Sequence, residues 1–106
     1  MEIIWTRKAI ESYKELAFYL NNSFGDLVTK SVLNKVEKRV NELVQNPFLG
    51  KKYTTTSPLK FEFRYFVVNK QTKVFYFIRE EYVYIVLVFD VRQDIQKIHG
   101  SLSVIH

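Results

Sequence analysis

Cysteine is missing from the chain altogether. That excludes disulfides and thiolate chemistry, and it suits a reducing, cytoplasmic setting. Histidine is almost as scarce. His99 and His106 are the only two, and no metal motif can be written from them. The acidic residues are scattered, so no carboxylate site for Mg²⁺ stands out. Three isolated glycines cannot build a phosphate-cradling loop, and no serine has the setting of a nucleophile elbow. The expectation is a chain with no metal and no small-molecule cofactor. Long apolar runs are lacking too. The longest, Val83 to Phe89, falls far short of the ~18–20 residues a membrane span needs, so no membrane partner is expected. Met1 to Thr6 has no cationic stretch leading into an apolar run, unlike a signal peptide.

What is present is a core and a local excess of positive charge. With 106 residues, 47% of them hydrophobic, the chain reads as one domain over residues 1–106 with a single core. The net charge is +5, which suits a negatively charged partner. Lysines and arginines minus acids give 7 − 6 over residues 1–50, 6 − 1 over 51–73 and 3 − 4 over 74–106. The excess therefore lies in Lys51, Lys52, Lys60, Arg64, Lys70 and Lys73, opposed by Glu62 alone. Such a cluster is either a solvated edge or a surface for a polyanion or an acidic target.

The stretch Leu59 to Arg92 dominates the pattern. Three runs of aromatic and β-branched residues, Leu59–Val68, Lys73–Ile78 and Tyr82–Arg92, are separated by the polar breaks Asn69–Thr72 and Arg79–Glu81. They read as an antiparallel meander. In the first run, alternation puts Leu59, Phe61, Phe63, Tyr65 and Val67 on one face, expected to meet the helices on apolar count. The last run is apolar on both faces and is expected to be covered on both sides, by the tail or by a partner.

Ahead of the meander, Ile3-Ile4-Trp5 reads as a short strand added to a sheet edge, with Thr6 able to cap a following helix. Ile10, Tyr13, Ala17 and Leu20 make a helical stripe, broken at Asn21-Asn22-Ser23-Phe24-Gly25. Asp26 is placed to cap a second helix, whose stripe is Val32, Leu33, Val36, Val40, Leu43 and Val44, ending at Asn46-Pro47. Residues 48–58 read as a polar loop. The tail, 93–106, carries Ile95, Ile98, Leu102 and Ile105 in weak periodicity and either folds as a short helix or docks on a partner. The fold expected is α+β: an N-terminal helical hairpin on a small antiparallel sheet of three meander strands plus a short N-terminal strand.

The remaining chemistry is cationic. Arg64, Lys73 and Arg92 fall in or at the ends of three strands, and Lys51, Lys52 and Lys60 lie close by in sequence. Neighbouring strands are ~5 Å apart, so such cations can converge on one concave face. There they would hold a phosphate backbone or another negative target, with Tyr65, Tyr76, Tyr82 and Tyr84 available for stacking. RNA cleavage by the neighbouring 2′-hydroxyl needs no metal but does need a base, an acid and cations. Arg64, Lys73 and Arg92 could supply the cations, and no base stands out. The alternative is cross-strand ion pairing with Glu62, Glu80, Asp90 or Asp94, worth under about 1 kcal/mol each at a surface.

The order helix, helix, three strands resembles the RelE/ParE superfamily of bacterial toxins over about residues 3 to 95. The resemblance is carried by Trp5-Thr6-Arg7-Lys8-Ala9, Asn46-Pro47-Phe48-Leu49-Gly50, Phe63-Arg64, Val74-Phe75-Tyr76 and Ile85 to Asp94. It implies a toxin neutralised by a cognate antitoxin that wraps it with a helix or an extended segment. RelE-like members cut mRNA on the ribosome. Their middle-strand arginine falls on Lys73 here, and their last-strand arginine on or next to Arg92, with no tyrosine following. ParE-like members bind and block DNA gyrase. The long hairpin and Asp90-Val91-Arg92-Gln93-Asp94 resemble that branch more closely; the further alternative is a non-toxic basic relative that merely binds an antitoxin or nucleic acid.

Overall fold

The structure is a computed structural model describing residues 1–55, 59–93 and 102. Strand β1 (Glu2–Trp5) leads into helices α1 (Arg7–Phe24) and α2 (Asp26–Glu42). Strands β2 (Lys51–Lys52), β3 (Arg64–Val67), β4 (Thr72–Arg79) and β5 (Tyr82–Asp90) follow. They form one five-stranded sheet in the order β1-β5-β4-β3-β2. The meander β3-β4-β5 is antiparallel, whereas β1 lies parallel to β5. The expected α+β architecture is present, with the sheet mixed and one strand longer than expected.

Local chemistry explains the junctions. The Thr6 hydroxyl accepts the Ala9 N–H at 3.1 Å and donates to the Ile85 carbonyl at 2.8 Å. One side chain thus caps α1 and ties it to β5. The expected five-residue break between the helices is absent. Helix α1 runs on to Phe24, and only Gly25 separates it from α2. Gly25 sits at φ 86°, a conformation that side chains disfavour. It also takes the capping position expected for Asp26, which instead lies in the first turn of α2. The tight β4–β5 turn places Glu80 at φ 57°, so the Arg79–Glu81 break folds without a turn-forming glycine.

Two apolar clusters sandwich the sheet. The first lies under the helices and contains Leu16, Leu20, Val36, Val40, Val74, Tyr76, Ile85 and Val88. The second lies on the opposite face and contains Phe63, Phe75, Phe77, Val86, Leu87, Phe89 and Leu102. Strand β5 is covered on both sides, as its sequence suggests, and Leu102 of the tail is part of that cover. A bulge at Val86 interrupts the β4–β5 register. It lets Val86 and Leu87 both point to the second face.

Two facings differ from expectation. On α1 the buried residues are Ala9, Ser12, Leu16 and Leu20, while Ile10 is 44% exposed. A serine in the buried row displaces the apparent stripe by about one residue. Strand β3 is shorter than the apolar run, and its facing is reversed. Phe66 and Val68 join the helix-side cluster, whereas Leu59, Phe61, Phe63 and Tyr65 join the other. With a core on each side of the sheet, apolar count does not select the helix side. Strand β2 falls within the segment read as loop; its two lysines carry no periodicity to detect.

Candidate binding surface

Register fixes where each cation goes. Arg64 pairs with Tyr76 across β3 and β4, on the helix side. Its guanidinium donates to the Gly50 carbonyl at 2.9 Å and stands 5.0 Å from the Phe48 ring centroid. Lys52 pairs with Arg64, and its ammonium lies 3.6 Å from a Glu62 carboxylate oxygen. Both groups are exposed, so this ion pair contributes little.

Lys73 is on the other face. It pairs with Val67 and Phe89, and its ammonium stands 5.1 Å from the Tyr65 ring centroid. Lys51 is directly opposite Tyr65 on β2. Tyr65 is therefore flanked by two lysines on one face and stacks on Phe75 at 5.5 Å. On the same face, Lys60 sits 5.7 Å from the ring of Phe61, which stacks on Phe77 at 4.2 Å and through it on Tyr84 at 4.8 Å. Aromatic rings attract cations by their quadrupoles and hold the lysines close without neutralising them.

Arg92 is committed elsewhere. It bonds Asp90 through its backbone N–H at 2.8 Å, Nε at 2.9 Å and a terminal nitrogen at 2.6 Å. Asp90 is 0% exposed. The Arg92 guanidinium also covers the Phe24 ring at 4.4 Å and approaches Tyr19 at 6.0 Å, both on α1. The bonds to Asp90 raise its already high pKa. Arg92 thus joins the end of β5 to the tip of the helical hairpin. Arg79 is exposed at the end of β4. The expected convergence of Arg64, Lys73 and Arg92 does not occur. Arg64 and Lys73 lie on opposite faces because their positions in the β3–β4 register differ in parity. The cations that the structure does bring near one another are Lys51 and Lys73, on either side of Tyr65, with Lys60 near Phe61 on the same face. His99 and His106 lie outside the described residues.

The loop that delivers Lys51 is anchored from the core. The Tyr76 hydroxyl donates to the Pro47 carbonyl and accepts the Gly50 N–H, each at 2.8 Å. Burial pushes the Tyr76 pKa up, although the Gly50 bond and the Arg64 charge pull the other way. The sequence places Tyr76 among the tyrosines available for stacking; its ring is instead 0% exposed under the helices. Tyr65 lies on the face away from the helices, between Lys51 and Lys73.

A family model, the ParE toxin of type II toxin–antitoxin systems (parDE), matches residues 3–95. The chain belongs to this family. Solved structures of the same fold include a chain of the chromosomal ParDE toxin–antitoxin system of P. aeruginosa. It is 16% identical with a TM-score of 0.69, over 86% of this chain and 96% of that one. The YoeB/ParE toxin from Agrobacterium tumefaciens is 9% identical with a TM-score of 0.60, over 85% and 98%. A chain of the YoeB–YefM toxin–antitoxin complex from Staphylococcus aureus is 18% identical with a TM-score of 0.55, over 84% and 94%. No curated protein matches the sequence. The ParE family match takes in both helices, strands β2 to β5 and all of β1 but Glu2, so the hairpin and the sheet belong to the shared fold.

Proposed function

We propose that this chain is a growth-inhibiting toxin that binds and blocks DNA gyrase and is held inactive by a cognate antitoxin. The ParE family match over residues 3–95 carries this reading. The site geometry supports a binding mode over a catalytic one. Of the three cations that nuclease chemistry would need together, Arg64 and Lys73 are on opposite faces, and Arg92 is paired with a buried carboxylate. Among the described residues no ion pair involves Lys51 or Lys73, and the positive patch they make with Tyr65 suits an acidic protein surface.

The antitoxin reading draws on apolar surface that the chain leaves open. A groove of about 280 Å³ between the helices is lined by Trp5, Ile10, Tyr13, Lys14, Glu37, Val40 and Asn41. An amphipathic helix with apolar anchors fits such a groove. Expression without the antitoxin is expected to arrest growth with signs of DNA damage and no loss of mRNA. Intact supercoiling by purified gyrase in excess free toxin would refute the proposal.

A second reading, a metal-independent endoribonuclease acting on mRNA at the ribosome, is favoured by one observation. Lys73, at the position of the middle-strand arginine in RelE-like enzymes, is beside a half-buried tyrosine on the sheet face away from the helices. It predicts mRNA cleavage on translating ribosomes that Lys73→Ala abolishes.

A further inference from the structure

We propose that Tyr76 is a positioning residue for Lys51, acting through the turn from Pro47 to Gly50. Strand β2 has only two residues, paired with Tyr65 and Arg64. So short a ladder cannot hold its own register at a sheet edge. The Tyr76 ring, by contrast, is fully buried on the central strand β4. Its hydroxyl bonds two backbone groups of the turn at once, the Pro47 carbonyl and the Gly50 N–H. Lys51 follows Gly50 directly, so fixing Gly50 fixes the start of β2.

The fit is close enough to exclude any side chain at position 50. A Cβ there would lie 2.7 Å from the Tyr65 carbonyl oxygen and 2.8 Å from both the Tyr76 hydroxyl and a ring carbon. The Arg64 guanidinium holds the Gly50 carbonyl from the neighbouring strand. The turn is thus clasped between β3 and β4, with Tyr76 supplying two of the bonds and Arg64 one. Removing one oxygen atom, in Tyr76→Phe, leaves the Gly50 N–H and the Pro47 carbonyl without it while keeping the ring in the core.

The structural half is tested by amide hydrogen exchange on the full chain, comparing Tyr53 with Val88. The Tyr53 N–H bonds the Phe63 carbonyl at 2.8 Å just beyond β2, and the Val88 N–H bonds Ser12 in the core. In Tyr76→Phe, Tyr53 is expected to exchange about tenfold faster or more relative to Val88. Trypsin is expected to cut sooner after Lys51 and Lys52. Gly50→Ala, which forces the same turn open from the other side, is expected to show the same pattern. Equal acceleration at Tyr53 and Val88, or none at either, in both variants would overturn the proposal.

The functional half rests on the gyrase reading. Lys51→Ala and Tyr76→Phe are expected each to weaken gyrase inhibition, with the double variant no weaker than Lys51→Ala alone. Additive losses would refute the positioning role. If Lys51→Ala inhibits as well as the wild type, the binding reading of Lys51 fails, and the exchange ratio still decides whether Tyr76 sets the turn.

Discussion

Ser12 is a polar residue in the buried row of α1, and its replacement by alanine probes how the helix meets the sheet. Strand β1 pairs with β5 only from Tyr82 to Ile85. Beyond that point β5 has no strand on its β1 side among the described residues, and the Ser12 hydroxyl takes over there. It accepts the Val88 N–H at 3.0 Å and donates to the Ala9 carbonyl at 2.9 Å. The residue is only 7% exposed, so water cannot substitute for the lost oxygen. Leaving a buried N–H unmet costs about 1–3 kcal/mol, and the better helix propensity of alanine returns roughly 0.5 kcal/mol. The net loss is about 0.5–2.5 kcal/mol, which lowers Tm by roughly 3–15 °C in a domain of this size. Thermal and urea unfolding followed by circular dichroism measure it, with Ser31→Ala on the exposed side of α2 as a control, expected within about 0.5 kcal/mol of wild type. A Ser12→Ala chain as stable as the control would refute the idea that a side chain completes the sheet.

Other consequences follow from buried polar groups. Arg92→Ala strands a fully buried carboxylate and is expected to cost about 3–5 kcal/mol. Asp90→Asn leaves an arginine whose side chain is 37% exposed and can turn to water, so it is expected to cost about 1–3 kcal/mol; urea titrations should rank them in that order. The buried Thr72 hydroxyl has no hydrogen-bond partner among the described residues, so Thr72→Val is expected to raise stability by about 1 kcal/mol in the same assay. Burial and Glu37, which accepts its hydrogen bond, push Tyr13 up to about 12, and burial raises Tyr76. Unfolded tyrosines ionise near 10, so the native state keeps protons that the unfolded chain releases. Stability is therefore full below about pH 10 and falls from there towards pH 12; a pH series of unfolding midpoints checks this, and Tyr13→Phe should flatten it.

The elements themselves were legible because their residues repeat. Val32, Val36 and Val40 mark the buried side of α2, and Thr6 marks the start of α1. The alternating aromatic runs mark the meander. Facing was harder to read. Phe61, Phe63 and Tyr65 look like helix-side residues only if the sheet has one core, and here it has two. Ser12 hid the true stripe of α1, because its burial depends on an unpaired strand edge that no local pattern encodes. The Asn21–Phe24 stretch looks like a loop by propensity, yet the helix runs through it to Gly25, with the Phe24 ring against Tyr19 and Arg92. The cations were visible as a composition excess, but their grouping depends on register parity. Lys51 entered the site through a strand too short to predict, and Arg92 left it by pairing with a carboxylate two residues away.

The most direct test of the account is a supercoiling assay with purified gyrase, comparing wild-type chain with the Lys51→Ala, Lys73→Ala double variant. The wild type is expected to block supercoiling, and the double variant, folded by circular dichroism, to lose most of that inhibition. Undiminished supercoiling in excess wild-type chain, or equal inhibition by the variant, would contradict it.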